Sequence, residues 1–71
     1  MLDKKIKIKL NGEDFFIEEN LTVFDLLNKL KITDKWLAIQ KNNEIIKRED
    51  YNEIKINQDD VIEIIKPFGG G

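Results

Sequence analysis

Residues Lys5 to Leu10, KIKIKL, alternate charged and apolar side chains without a break and run directly into Asn11-Gly12. A period-two pattern of this kind is that of a β-strand with one buried and one solvated face. Asn and Gly both tolerate positive φ, which the two central residues of a type I′ hairpin turn require. Phe15 and Ile17 resume the alternation, so Glu13 to Glu18 is expected to return antiparallel. A hairpin with one apolar side needs a cover, and this confines the chain to folds in which something packs on a face of a sheet.

The next segment supplies that cover. Val23, Leu26, Leu27 and Leu30 fall at i, i+3, i+4 and i+7, one stripe of an α-helix expected over Leu21 to Lys31. Thr22 is placed to cap its N-terminus, with Asp25 as a weaker relative of the usual capping-box Glu or Gln, and Leu21 and Leu26 occupy the hydrophobic-staple positions. Lys29 and Lys31 suit the negative end of the helix dipole. Trp36 to Lys41 then reads as a short strand, Asn42-Asn43 as a second turn tolerant of left-handed backbone, and Glu44 to Lys47 as the returning strand. Arg48 to Asn57 is polar and irregular, with Tyr51, Ile54 and Ile56 as expected anchors, and Gln58-Asp59-Asp60 makes a turn. The last strand, Val61 to Lys66, is apolar at nearly every position, which suits a central strand covered on both faces.

The expected architecture is α+β: one helix packed across a mixed sheet of four or five strands. Ile6, Ile8, Ile62 and Ile64 would lie under Leu26, Leu27 and Leu30. Residues 1–66 are read as one domain and residues 67–71 as a flexible C-terminal tail.

Length and composition exclude most chemistry. With 71 residues, a domain buries only about 60% of the surface its unfolded chain exposes, which leaves no room for a cleft between two domains. There is no Cys and no His, hence no thiolate nucleophile, no Cys/His zinc site and no imidazole base. Twelve Lys and Arg against fourteen Asp and Glu give a net charge of −2, without the basic surplus of a nucleic-acid binder. No apolar run approaches the roughly 20 residues that span a bilayer. MLDKKIKIK lacks the apolar centre of a secretory signal. A soluble cytoplasmic domain that binds neither nucleic acid nor membrane is expected.

The remaining candidates are sparse. The acid pairs Glu13-Asp14, Glu18-Glu19, Glu49-Asp50 and Asp59-Asp60 read as solvated surface, since adjacent strand side chains point to opposite faces. No metal site is expected, because Asp59-Asp60 lacks the six to eight oxygens of a calcium site. The row Lys5, Lys7, Lys9 reads as a solubilising strand face, and Trp36 and Tyr51 as core edge.

The C-terminus is the exception. At about 7% glycine, three in a row at a fixed position arise by chance on the order of 0.03% of the time. A frayed end or a cloning remnant would explain Gly69, Gly70 and Gly71 trivially. Their position points further: Gly71 is expected to present a free carboxylate on an uncrowded α-carbon, and a glycine backbone enters a channel that side chains would block. Pro67 has no amide hydrogen, so it ends strand pairing and stiffens the exit. Phe68 has no evident place in so small a core, and Ile65 faces away from Ile62 and Ile64, so the two are expected to form an outward apolar patch for a partner. None of these residues can activate a carboxylate, so the chemistry would come from another protein.

LNGE (Leu10 to Glu13), TVFDLL (Thr22 to Leu27), LAIQKNNEIIKRE (Leu37 to Glu49) and DVIEII with the terminal FGGG together resemble one family across Ile6 to Gly71. It is the ThiS family, the ubiquitin-like β-grasp sulfur carriers of thiamine biosynthesis. The resemblance implies a carrier that is not an enzyme. An E1-like adenylyltransferase would use ATP and magnesium to adenylate Gly71, and this chain itself would bind no cofactor. Sulfur from a persulfide donor protein would then displace AMP, and the resulting thiocarboxylate would serve thiazole synthase. Gly69 and Gly70 would thread into the partner, and Ile65, Pro67 and Phe68 would contact it. The chain departs from the family at Lys47 (often Pro), at Tyr51 (often Trp) and at Gln58-Asp59-Asp60, where Asp-Gly-Asp is usual; these departures concern loops and not the tail. Related readings are a molybdopterin-synthase small subunit, a tRNA-thiolation carrier or protein modifier, and a β-grasp binding module with an inert tail.

Overall fold

The computed structural model describes residues 4–33 and 37–66. Five strands and a helix follow one another as β1 (Lys5–Leu10), β2 (Glu13–Glu18), α1 (Val23–Lys29), β3 (Ala38–Lys41), β4 (Glu44–Ile46) and β5 (Val61–Ile65), with a 3₁₀ turn at Arg48–Asp50 before β5. The strands form one mixed sheet in the order β2-β1-β5-β3-β4. β1 and β5 run parallel, and the other neighbours are antiparallel.

Both hairpins close as their turn residues dictate. Leu10 faces Glu13 across Asn11 (φ 50°) and Gly12 (φ 87°), and Lys41 faces Glu44 across Asn42 (φ 54°) and Asn43 (φ 71°). Both central residues of each turn are thus left-handed, as a type I′ connection requires.

The helix is shorter than its apolar stripe suggests. Thr22 caps it as expected: its hydroxyl accepts from the Asp25 amide (3.1 Å), while the Asp25 carboxylate accepts from the Thr22 amide (3.0 Å). The next orphan donors are met by the irregular segment, since the amides of Val23 and Phe24 donate to the carbonyls of Ile54 and Tyr51. At the other end Leu30 is the cap, and Lys31 swings to φ 59°. The Lys31 amide then bonds the Asn28 carbonyl and the Ile32 amide the Leu27 carbonyl. This is a Schellman closure with lysine where glycine is usual, and it is why the expected Lys31 terminus falls outside the helix.

The core is Ile8, Ile17, Val23, Leu26, Leu27, Ile39, Ile46, Tyr51, Ile56 and Ile62, with Ile6, Leu30, Ile54 and Ile64 packed against it. Strand β5 lies centrally, as expected, but not under cover on both faces. Ile62 is fully buried beneath the helix, whereas Val61 and Ile65 on the opposite face are exposed. One helix covers one face, and among the described residues nothing lies across the other. The departure at Asp59 is absorbed locally, since Asp59 itself adopts φ 70° in its turn. No helix among the described residues is long and apolar enough to cross a membrane.

Candidate functional site

The chain leaves the sheet from its middle. Strand β5 runs between β1 and β3, and Lys66 follows it as the last described residue before Pro67. On one side the antiparallel ladder with β3 reaches Ile65, which faces Ala38. On the other, the parallel ladder with β1 pairs Lys9 with Val61 and Leu10 with Ile62. Two turn asparagines bracket the strand. The Asn42 side-chain oxygen accepts from the Val61 amide (2.9 Å) at the entry, and that of Asn11 accepts from the Ile64 amide (2.8 Å) near the exit.

The open face is set by register. Phe16 stands opposite Lys7, Val61 beside Lys9, Ile65 opposite Ala38, and Ile45 opposite Gln40. Phe16 is 59% exposed, Ile45 64% and Ile65 46%. Ile65 therefore points outward as expected. Lysines border these apolar groups, partly neutralised: Lys9 meets Asp14 at 2.9 Å and Lys5 meets Glu18 at 3.7 Å, with Lys29 reaching Glu18 at 3.3 Å. The hydrogen bond from Lys9 holds the Asp14 carboxyl below its ordinary range. That of Glu18 is lowered first by its own backbone amide and then by Lys29. Such exposed pairs contribute little to stability.

One member of an acid pair departs from its expected place on the surface, while its neighbour Asp59 is exposed. Asp60 is buried and accepts from the Asn57 amide (2.7 Å) and the Asn42 side-chain amide (3.0 Å), with the Lys41 ammonium at 3.6 Å. A carboxylate so satisfied braces the loop into β5. Tyr51 is buried in the core, where desolvation pushes its hydroxyl up from the ordinary tyrosine value. Among the described residues no group of three or more acids is placed to hold a metal ion. A groove of about 640 Å³ opens on the helix side between Phe24, Leu27, Leu37 and Tyr51, away from the open face of the sheet.

Of the residues expected at the site, Ile65 is described; Pro67, Phe68, Gly69, Gly70 and Gly71 lie outside the described residues, as does Trp36. The asparagine side-chain bonds were not legible in the sequence, which marks Asn11 and Asn42 only as turn residues. Their signal was an asparagine at the first central position of both hairpins.

A family model for the ThiS family matches residues 3–71. The chain belongs to the ThiS family. Among ThiS relatives, the sulfur carrier protein ThiS of Bacillus subtilis is 37% identical over 65 residues, covering 90% of this chain and 98% of that one. A thiazole synthase of Paramagnetospirillum magneticum is 32% identical over 66 residues; the match takes in 93% of this chain but only 20% of that protein. The crystal structure of the thiamine biosynthesis protein ThiS from Geobacter metallireducens superposes with a TM-score of 0.81 at 26% identity, over 93% of this chain and all of that one. The expected β-grasp fold of the ThiS family is thus the fold found. A molybdopterin-converting factor complex from Helicobacter pylori shares the fold alone, with a TM-score of 0.58 at 23% identity over 96% of this chain and all of the matched one.

Proposed function

We propose that this chain carries sulfur for thiazole formation as a thiocarboxylate on Gly71, and that it is a protein co-substrate and not a catalyst. In this reading an E1-like adenylyltransferase, with ATP and magnesium, joins the Gly71 carboxylate to AMP and releases pyrophosphate. The outer sulfur of a donor protein's persulfide attacks the acyl carbon and AMP leaves, giving an acyl disulfide. A thiol then attacks the donor-side sulfur, which frees the thiocarboxylate and leaves the donor sulfur in a disulfide. The thiocarboxylate then passes its sulfur to thiazole synthase in the cytoplasm. Pro67 stiffens the departure of the tail, Gly69 and Gly70 let it thread, and Phe68 joins Ile65 against the partner.

The observation that carries this reading is the extent of the family match, which runs to residue 71 and takes in the three terminal glycines. The segment matched inside a thiazole synthase supports the choice of acceptor. The body supports the role of handle: its described acids are satisfied or exposed, and its open face offers Ile65 beside the exit. The molybdopterin alternative rests on shared fold alone.

Intact-mass analysis of the protein from its native host tests the reading. Exchange of one oxygen for sulfur is expected, together with pyrophosphate release when the chain meets ATP and the adenylyltransferase. Deleting Gly71 is expected to abolish both while leaving thermal unfolding unchanged. Normal loading of the truncated chain would refute the tail mechanism. Capture of the thiocarboxylated form by molybdopterin synthase in place of thiazole synthase would move the chain to the other pathway.

A further inference from the structure

We propose that Asn11 is a positioning residue at the exit of β5: its side chain extends the β1 edge by one step and thereby holds the backbone in the sheet as far as Ile64. Its role in docking to a partner rests on the carrier reading above. The strand β1 pairs with β5 only through Leu10 and then turns away at Asn11-Gly12. Past that point the β1-facing groups of β5 have no strand beside them. Asn11 supplies both missing partners. Its backbone amide donates to the Ile62 carbonyl (2.9 Å), and its side-chain oxygen accepts from the Ile64 amide (2.8 Å). In effect the side chain imitates the carbonyl of a residue that β1 does not have.

The consequence is a matter of where ordered backbone ends. With the clamp, β5 is held on both sides as far as Ile64, and by β3 to Ile65. Without it, the last residues of β5 hang from β3 alone, a ladder that begins only at Ala38. A partner that draws the terminus into a channel would then have to order additional backbone at the moment of docking. That cost falls on association and not on the chemical step. Ordering one further residue corresponds to about a tenfold rise in the apparent KM of the carrier, with kcat unchanged.

Asn42 provides an internal control. It holds β5 by a similar pair of bonds at the opposite end: its amide donates to the Val61 carbonyl (2.8 Å) and its side-chain oxygen accepts from the Val61 amide, while its side-chain nitrogen also donates to Asp60. Loss of either asparagine should weaken the fold. Only loss of Asn11 should disturb the exit.

The experiment is ATP–pyrophosphate exchange by the cognate adenylyltransferase, with the concentration of full-length carrier varied. It compares wild type with Asn11→Gly, Asn11→Asp and Asn42→Gly well below their melting temperatures. Glycine keeps the left-handed turn and removes the acceptor; Asp keeps an acceptor oxygen and tolerates the same backbone. The expected result is a KM raised about tenfold for Asn11→Gly at unchanged kcat, restoration by Asn11→Asp, and a wild-type KM for Asn42→Gly. An unchanged KM for Asn11→Gly, or an equal rise for Asn42→Gly, overturns the proposal. Should the wild-type chain drive no exchange at all, the carrier reading fails instead. Amide hydrogen exchange then decides the clamp by itself: protection lost at Ile64 to Lys66 alone in Asn11→Gly upholds it, and an unchanged or uniform pattern overturns it.

Discussion

Two isoleucines of β5 have opposite surroundings. Ile62 is 0% exposed beneath the helix, while Ile65, three residues on, is 46% exposed on the open side of the sheet. Apolar composition alone treats them alike. Strand alternation separates them, and the single helix decides which of the two faces becomes core. One face therefore maintains the fold, and the other is free to be specified by what it meets. The comparison teaches that a run of apolar residues in a central strand does not demand two covers.

The largest expected effect tests the inner face. Ile62→Ala removes a fully buried side chain and should cost about 2–5 kcal/mol, a large part of the stability of a domain this small. Urea denaturation measures it, and a loss below that of Ile65→Ala would break the comparison. Next comes the helix that makes the inner face. Lys31 occupies a left-handed position with φ 59°, so Lys31→Gly should raise stability by about 1 kcal/mol, unless a lower melting temperature shows that the lysine side chain stabilises the turn. On the outer face, Ile65→Ala should cost less than about 1 kcal/mol, as an incompletely buried side chain. Its affinity for the adenylyltransferase of the proposed reaction, read by calorimetry, should fall by more than its stability does; unchanged affinity would remove Ile65 from the proposed interface.

The smallest effect is electrostatic. Asp14 and Glu18 are held below their ordinary carboxylate range in the folded chain. A depressed folded value means that their contribution is complete above the unfolded pKa and is lost as pH falls through the folded one. The stability difference between wild type and Asp14→Asn should accordingly shrink on acidification and with added salt. A difference that widens in acid would reverse the sign.

Much of this fold was legible because its signals are local. Alternation placed β1 and β2, two-residue turns placed both hairpins, and Thr22 with Asp25 placed the start of the helix. What was hidden is long-range. Asp60 looked like surface because its partners Asn42 and Lys41 arrive from another hairpin. The Asn11 side chain finds its donor 53 positions away, a distance at which no spacing rule operates. The helix reads as reaching Lys31 because Leu30 completes the apolar stripe and a lysine suits the helix end, whereas the backbone already turns left-handed at Lys31. Of the site, outward Ile65 followed from alternation alone, whereas the clamp near it did not.

The central seat of β5 has a mechanical corollary. β5 is flanked on both sides and is the last strand among the described residues before the C-terminus. Traction along the strand loads the ladders to β1 and β3 together in shear, on two sides where an edge strand would have one. Were the terminus handled as proposed above, the body would thereby be anchored on two sides against being unravelled.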